Sequence, residues 1–257
     1  MVEPVYHSQV GQDRLLDTVV FRGMENGVVV DIGAHDGVHF SNSLAFERDR
    51  GWRALCVEPH PDLFPQLAAA RPGATCVNLA VGAREGTQDF TLCGDGLESL
   101  SCLTDDTTAD HHRRVAREAA MHGGTVRRIE VPVTTPAALF AAHGIGEVHF
   151  LSVDTEGSEP VILGALEAAG AFVHVVAAEC NRRYMLPRLK AALGPGFVCA
   201  GRHRHDAFFV NRASPFASRL WPLRAAMARE ALAYGMERAR RRLREGPKRR
   251  APRAGAA

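Results

Sequence analysis

The run GVVVDIGAHDG at residues 27–37 constrains the fold more than any other stretch of this chain. Three valines, an acid and an isoleucine lead into two glycines, Gly33 and Gly37. A short apolar run of this kind, rich in β-branched residues and closed by a glycine turn, reads as a buried strand emptying into a loop. Similar apolar runs recur downstream in WRALCVEP, ATCVNLAV, VHFLSVD and AFVHVVAAEC, with helical spacing between most of them. Strands of buried type alternating with helices predict a doubly wound, mostly parallel sheet. GFVCAG and HDAFFVN lie close enough in sequence to form an antiparallel pair at the sheet edge. TQDFTLC and VRRIEVPVTT alternate at period two and read as half-exposed strands.

In an open α/β sheet, ligands bind outside the carboxyl ends of the strands. Acids recur there: Asp31, Glu58, Asp154 and Glu179. The loop after the first strand is not G-x-G-x-x-G, since it holds two glycines and an additional acid. A pyrophosphate needs close backbone approach with no anion beside it, and Asp31 and Asp36 oppose one. An acid at this point suits a ligand with a positive charge, an amino group or a sulfonium, which points to S-adenosylmethionine rather than a dinucleotide. Glu58, 21 residues beyond Gly37 at the end of the second strand, is placed to accept both hydroxyls of a ribose, with Pro59 opening the turn after it. Asn78 and Ala80 close the third strand, where small residues leave room for a flat adenine ring. In FLSVDTEGSEPVILGAL, Asp154 and Glu156 leave an apolar strand together. Glu159 follows on the first helical turn, where an acid is favourable beside the helix N-terminus. Clustered carboxylates raise one another's pKa and attract a cation, a hydroxyl proton or a metal.

The segments SQVGQD (8–13), VVDIGAHDGVHFSNSLAFERDRGWRALCVEPHPDLFPQL (29–67), VPVTTPAALF (131–140), FLSVDTEGSEPVILGAL (150–166) and VVAAEC (175–180) together resemble the FkbM family of S-adenosylmethionine-dependent methyltransferases. The resemblance runs over about residues 7–212. It implies a class I, Rossmann-like methyltransferase fold: an α/β architecture with a mostly parallel seven-stranded sheet and one antiparallel edge strand. It implies methyl transfer from S-adenosylmethionine, commonly to a hydroxyl of a sugar or a secondary metabolite. Asp31, Gly33, Ala34, Asp36 and Gly37 resemble the loop that holds the methionine part. Asn42 and Glu47 belong to the following helix, Glu58 looks like the ribose acid, and Gln9 and Gln12 resemble an N-terminal segment that covers the cofactor. Asp154 and Glu156 face the methyl group in this reading. Base candidates are Asp154, Glu156 and His35, in that order. A divalent metal such as magnesium held by Asp154 and Glu156 is the other way to activate the acceptor. Residues 94–125 match the family poorly; Ser99 and Ser101 are candidate ligand contacts within a segment expected to control acceptor choice.

Other classes fare less well. A nicotinamide-dependent dehydrogenase predicts a third glycine in residues 31–37. A base-amino methyltransferase of nucleic acid typically carries N/D-P-P-Y/F where this chain has DTEG, and cytosine C5 chemistry needs a Pro-Cys pair that does not occur. No nucleic acid partner is expected, and the acceptor is expected to be a small molecule or a glycan. A binding module without turnover is opposed by the retained acids. No run of eighteen apolar residues exists, so no transmembrane helix is expected. MVEPVYHSQVGQD has no signal-peptide pattern, so a cytoplasmic location is expected. Six scattered cysteines without a C-x-x-C pair read as reduced thiols rather than a zinc site. The net charge of +2 is uneven, because the chain is strongly basic from Arg219 onward. Residues 1–212 are expected to form the catalytic domain. Residues 213–257 are expected to be a basic helical extension, partly disordered after Gly246, with binding to an anionic surface the minority reading.

Overall fold

The computed structural model describes residues 3–182 and 184–245. Strands β1 (Val28–Ile32), β2 (Arg53–Val57), β3 (Thr75–Val77), β4 (Ala80–Val81), β5 (Gly86–Cys93), β6 (Cys102–Leu103), β7 (Val126–Thr134), β8 (Glu147–Val153), β9 (Phe172–Glu179), β10 (Phe197–His203) and β11 (Asp206–Asn211) form two sheets. The helices are α1 (Gln12–Leu15), continued by a wider turn over Leu16–Phe21, α2 (Leu44–Arg50), α3 (Phe64–Ala70), α4 (Ala109–His122), α5 (Pro136–Ala142), α6 (Glu159–Gly164), α7 (Met185–Leu193) and α8 (Leu220–Glu245). Residues after Gly246, where disorder was expected, lie outside the described range.

The large sheet has seven strands in the order β10-β11-β9-β8-β1-β2-β3. β3, β2, β1, β8 and β9 run parallel, and β11 is antiparallel to both of its neighbours. Alternate residues of the central strands feed opposite faces. Val30, Ile32, Leu151 and Val153 pack on one side, and Val29, Phe150, Val175 and Ala177 on the other, all with almost no exposure. Burial on both faces explains why these strands read as unbroken apolar runs.

ATCVNLAV, expected as one strand, divides. The Asn78 amide donates to the Glu58 carbonyl at 2.7 Å, and the chain leaves the large sheet there to begin β4 in a second sheet. That sheet, β4-β7-β5-β6, gathers the two period-two strands as the antiparallel pair β5–β7. It stands beside the carboxyl ends of β2 and β8, and its Phe90 and Leu103 help wall a cavity there. The helix that Glu159 opens is short, with α6 ending at Gly164 and a 3-10 turn following. The start of the C-terminal extension belongs to the same core. Phe216 packs edge-on to Phe21 (ring centroids 5.0 Å apart), and Leu223 and Met227 of α8 are buried against the sheet.

Candidate functional site

Parallel strands deliver their C-terminal residues to one rim. Asp31 is the penultimate residue of β1 and Glu179 closes β9, while Glu58 and Asp154 follow β2 and β8 directly. β11 runs the other way, so its first residue reaches the same rim: Asp206 is in register with Glu179. Two adjoining cavities open along this edge. The larger has a volume of about 710 Å³ and is lined by Gln9, Gln12, Asp31, Gly33, Ala34, His35, Asn42, Asp154 and Glu156, with Glu179, Asn181, Arg182, His205 and Asp206 on the far side. The smaller is a slot between Val57, Glu58, Pro59, Leu79, Ala80, Val81, Phe90 and Leu103. They meet at Gly33, Glu98 and Asp154.

Each feature of the glycine loop has a cause. Gly33 has φ +88°, and a Cβ there would lie 1.8 Å from the Asp154 carbonyl oxygen, so only glycine lets the β1 and β8 ends approach. The Gly33 and Ala34 amides both donate to Val57 O. Gly37 serves packing, since its missing Cβ would strike Leu67 and Arg71. Asp36 caps its own turn by accepting from the Val38 and His39 amides at 2.9 and 2.7 Å. It does not line either cavity. The Asp36 and Gly37 side positions therefore shape the loop rather than touch its contents. His35, Phe40 and Glu156 line the larger cavity with left-handed backbone (φ 53–57°), strain that this edge concentrates.

Behind the loop runs a buried polar chain. The Arg71 side chain has no solvent exposure and pairs with Glu47. It also donates to Gly37 O at 3.1 Å, Ser41 Oγ at 3.3 Å and Ser43 Oγ at 3.2 Å. Ser43 in turn donates to Asp31 at 2.6 Å. Burial pushes the Asp31 carboxyl up, and the Ser43 hydroxyl and the Arg71 charge pull against it. Glu58 accepts the His35 and His60 amides, one on each oxygen, at 2.8 Å each. Burial nevertheless lifts its pKa to about 7.

The acids on the far side repel one another. Asp154 is open to the cavity yet surrounded by protein. Its pKa is raised well above the ordinary value by burial and then by the charges of Glu156, Asp206, Glu159 and Asp31. Glu179 is raised by burial and by Asp154. Asp206 is raised by burial even though Gln12 donates to it.

The structure corrects several sequence expectations. Glu156 does not pair with Asp154 around a metal. It turns to Arg114 at 3.0 Å and His111 at 3.3 Å, and the Cys102 and Glu156 side chains lift His111, against its burial, to about 10. With both its oxygens engaged by cations, Glu156 is also a poor base. Among the described residues, no three acids of this rim bring their oxygens within 4.8 Å of one another, so the rim holds no preformed cluster of three carboxylates for a metal. The trio that does converge, Glu147, His149 and His174, lies elsewhere. There the Val28 amide donates to His149 Nδ1 at 3.1 Å, so Nε2 carries the proton and has no lone pair for a metal. Asn78 is exposed and braces Glu58 from outside both cavities, where Leu79 stands instead. Ser158 sits at the N-terminus of α6 without capping it. Glu159 folds back onto the loop before α6, accepting from the Thr155 and Gly157 amides and the Thr155 hydroxyl.

Sequence reasoning missed Ser158, Leu79, Arg114, Asn181, Arg182, His205 and Asp206 as cavity residues. Only Asp206 carried a signal, an acid at the start of a strand pairing with β9, and it becomes meaningful once β11 is known to run antiparallel.

S-adenosylmethionine fits this donor set. Asn42 Oδ1 and Ser158 Oγ are buried at the cavity walls with no partner, one in the polar chamber and the other in the slot. The slot's apolar walls suit an adenine ring, and Glu58 keeps a free lone pair on each oxygen for a ribose diol.

A seven-stranded sheet in this order, with one antiparallel strand and a two-chambered ligand edge, defines a class I methyltransferase. The family model described as "Methyltransferase FkbM domain" matches residues 31–178, more than half of the chain, and the protein belongs to that family. No curated protein sequence matches the chain. Among solved structures it is similar to an FkbM methyltransferase from Methylobacillus flagellatus (14% identity, TM-score 0.44, 76% of this chain and 47% of that one). It thus spans about half the length of that protein. It is also similar to a TehB-like SAM-dependent methyltransferase from Corynebacterium glutamicum (11%, 0.40, 79% and 89%) and to Aeropyrum pernix fibrillarin with natively bound S-adenosyl-L-methionine (11%, 0.41, 78% and 73%).

Proposed function

We propose that this methyltransferase transfers the methyl group of S-adenosylmethionine to a hydroxyl of a polar acceptor, a sugar or a glycosylated secondary metabolite. One observation carries the choice of acceptor. Beyond the cofactor residues, the large cavity is walled by Gln12, Arg114, Glu179, Asn181, Arg182, His205 and Asp206 and offers no aliphatic side chain. Such a wall can hydrogen-bond a polyol and leaves Phe40 as the one large apolar side chain for a ring to pack against.

When bound, S-adenosylmethionine supplies an electrophilic methyl group on a sulfonium. The chain's task is to align an acceptor oxygen with it, exclude water and take one proton. Asp31 and Asn42 are placed to hold the methionine end, and Glu58 with the slot to hold the adenosine. Asp154, at the junction of the two chambers, is the group we assign as proton acceptor. Its raised pKa brings a carboxylate closer to the operating range of a general base. Glu179, Asn181 and Asp206 position the acceptor, and Gln9 and Gln12 close the chamber from the N-terminal side. No step requires a metal.

The test is a cofactor-release assay. Formation of S-adenosylhomocysteine should rise on adding members of a panel of hydroxylated glycosides and stay at background with apolar phenols. Stimulation by the phenols alone would overturn the acceptor assignment.

A further inference from the structure

We propose that the outer face of α8 docks the protein onto an anionic lipid bilayer. Helical geometry of 100° per residue separates two faces of this helix. One face, carrying Leu223, Met227 and Glu230, is spent on the domain. Leu223 and Met227 are buried, and Glu230 pairs with Arg14 at 2.6 Å and His203 at 3.3 Å. The opposite face carries Trp221, Ala225, Ala228, Leu232 and Met236, spaced four, three, four and four residues apart. Nothing covers it among the described residues: Trp221 is 73% exposed, Leu232 69% and Met236 57%. These three are among the eleven large exposed hydrophobics of the described chain and lie within sixteen residues of one helix, while Tyr234 falls on the domain side beneath Arg204.

Charge decides what this stripe meets. Residues 220–245 hold seven arginines against three glutamates, and GPKRRAPRAGAA follows in the sequence. The whole chain has a net charge of only +2, so the domain that α8 leaves is net negative. Arg229 and Arg240 fall on one flank of the stripe, and Arg224 on the other. Arg224 is held by the Cys199 and Ala200 carbonyls, with its guanidinium 4.9 Å from the Trp221 ring. Pairing with α8 of a second copy would juxtapose like-charged flanks, which is unfavourable. An anionic bilayer offers both chemistries at once: acyl depth for Trp, Leu and Met, and phosphate for the arginines beside them. At ~1.5 Å per residue the helix is long enough to lie along such a surface.

Full-length protein is sedimented with vesicles of pure phosphatidylcholine and of phosphatidylcholine with phosphatidylglycerol. We expect partition to be about tenfold or more stronger on the phosphatidylglycerol vesicles and to fall as salt screens the arginines. Leu232→Glu and Met236→Glu should each lower it about tenfold. Neither side chain touches the site, so thermal midpoint and S-adenosylmethionine affinity should stay unchanged. Equal partition onto both vesicles, or partition indifferent to both substitutions, overturns the proposal. So does a concentration-dependent dimer that the same substitutions abolish, because the stripe would then belong to a second copy.

Discussion

The two halves of the ligand edge handle buried charge differently. On the cofactor side each acid is met by fixed donors. Asp31 has Ser43 and, through it, Arg71; Glu58 has two backbone amides; Asp36 has two more. On the far side Asp154, Glu179 and Asp206 face one another across a wide chamber: Gln12 and Asn181 donate to two of them, His203 and His205 temper the Asp206 charge, and burial with mutual repulsion raises Asp154 and Glu179. The first arrangement prepares a rigid seat for a ligand of constant structure. The second holds protons loosely and leaves hydrogen-bonding capacity unspent, which suits proton transfer and a hydroxylated acceptor.

The largest effect should come at the boundary between the halves. Asp154→Ala should lower methyl transfer by roughly 10²–10⁴-fold, the span expected for a general base. Cofactor binding, measured by calorimetry, should survive. Full turnover in this variant would remove Asp154 from the chemistry and dissolve the distinction drawn here. Next is Arg71→Met. It leaves the half-buried Glu47 without its partner, and removes the support of Ser43 and the loop carbonyl from a fully buried position, so a loss of about 3 kcal/mol in stability is expected by denaturant unfolding. A loss below about 1 kcal/mol would show that the cofactor side is not braced in this way.

Glu179→Gln probes the opposite half. It relieves repulsion at Asp154 and removes the acceptor contact we propose, so the acceptor KM should rise about tenfold while S-adenosylmethionine affinity is unchanged. A parallel loss of cofactor affinity would merge the two halves into one.

Glu58 gives an effect of similar size with a definite sign. Burial raises its folded pKa from 4.5 to about 7. The ionised form accepts ribose hydroxyls, so S-adenosylmethionine affinity should increase as pH rises through 7, by roughly tenfold between pH 6 and pH 8. Glu58→Gln should flatten that profile. A profile unchanged by the substitution would assign the pH dependence to another group.

Much of the cofactor half was legible in the chain because it is local. One strand, its loop and the acid after the next strand lie within residues 27–58, and the apolar runs around them announce burial on both faces. Even there Asp36, Gly37 and Asn78 turned out to brace the loop rather than line it, because their positions depend on α3 and on the exit to the second sheet. The far half was hardly legible. Asp206 and Glu179 are 27 residues apart and meet through strand register. Arg114 and Glu98 arrive from the segment 94–125, whose β6 and α4 no periodic signal had tied to the edge.

Sequence alone determined the alternation of buried strands with helices, the two-glycine loop with its acid, and membership of a methyltransferase family, because each rests on neighbouring residues whose burial or backbone conformation is locally dictated. Tertiary structure decided which carboxylates stay unpaired. Glu156 was lost to Arg114 and His111, Asp206 was gained through an antiparallel strand, and Asp154 was left open at the junction of two chambers. Charge is neutralised in space, and spatial neighbours are set by register and packing rather than by position along the chain.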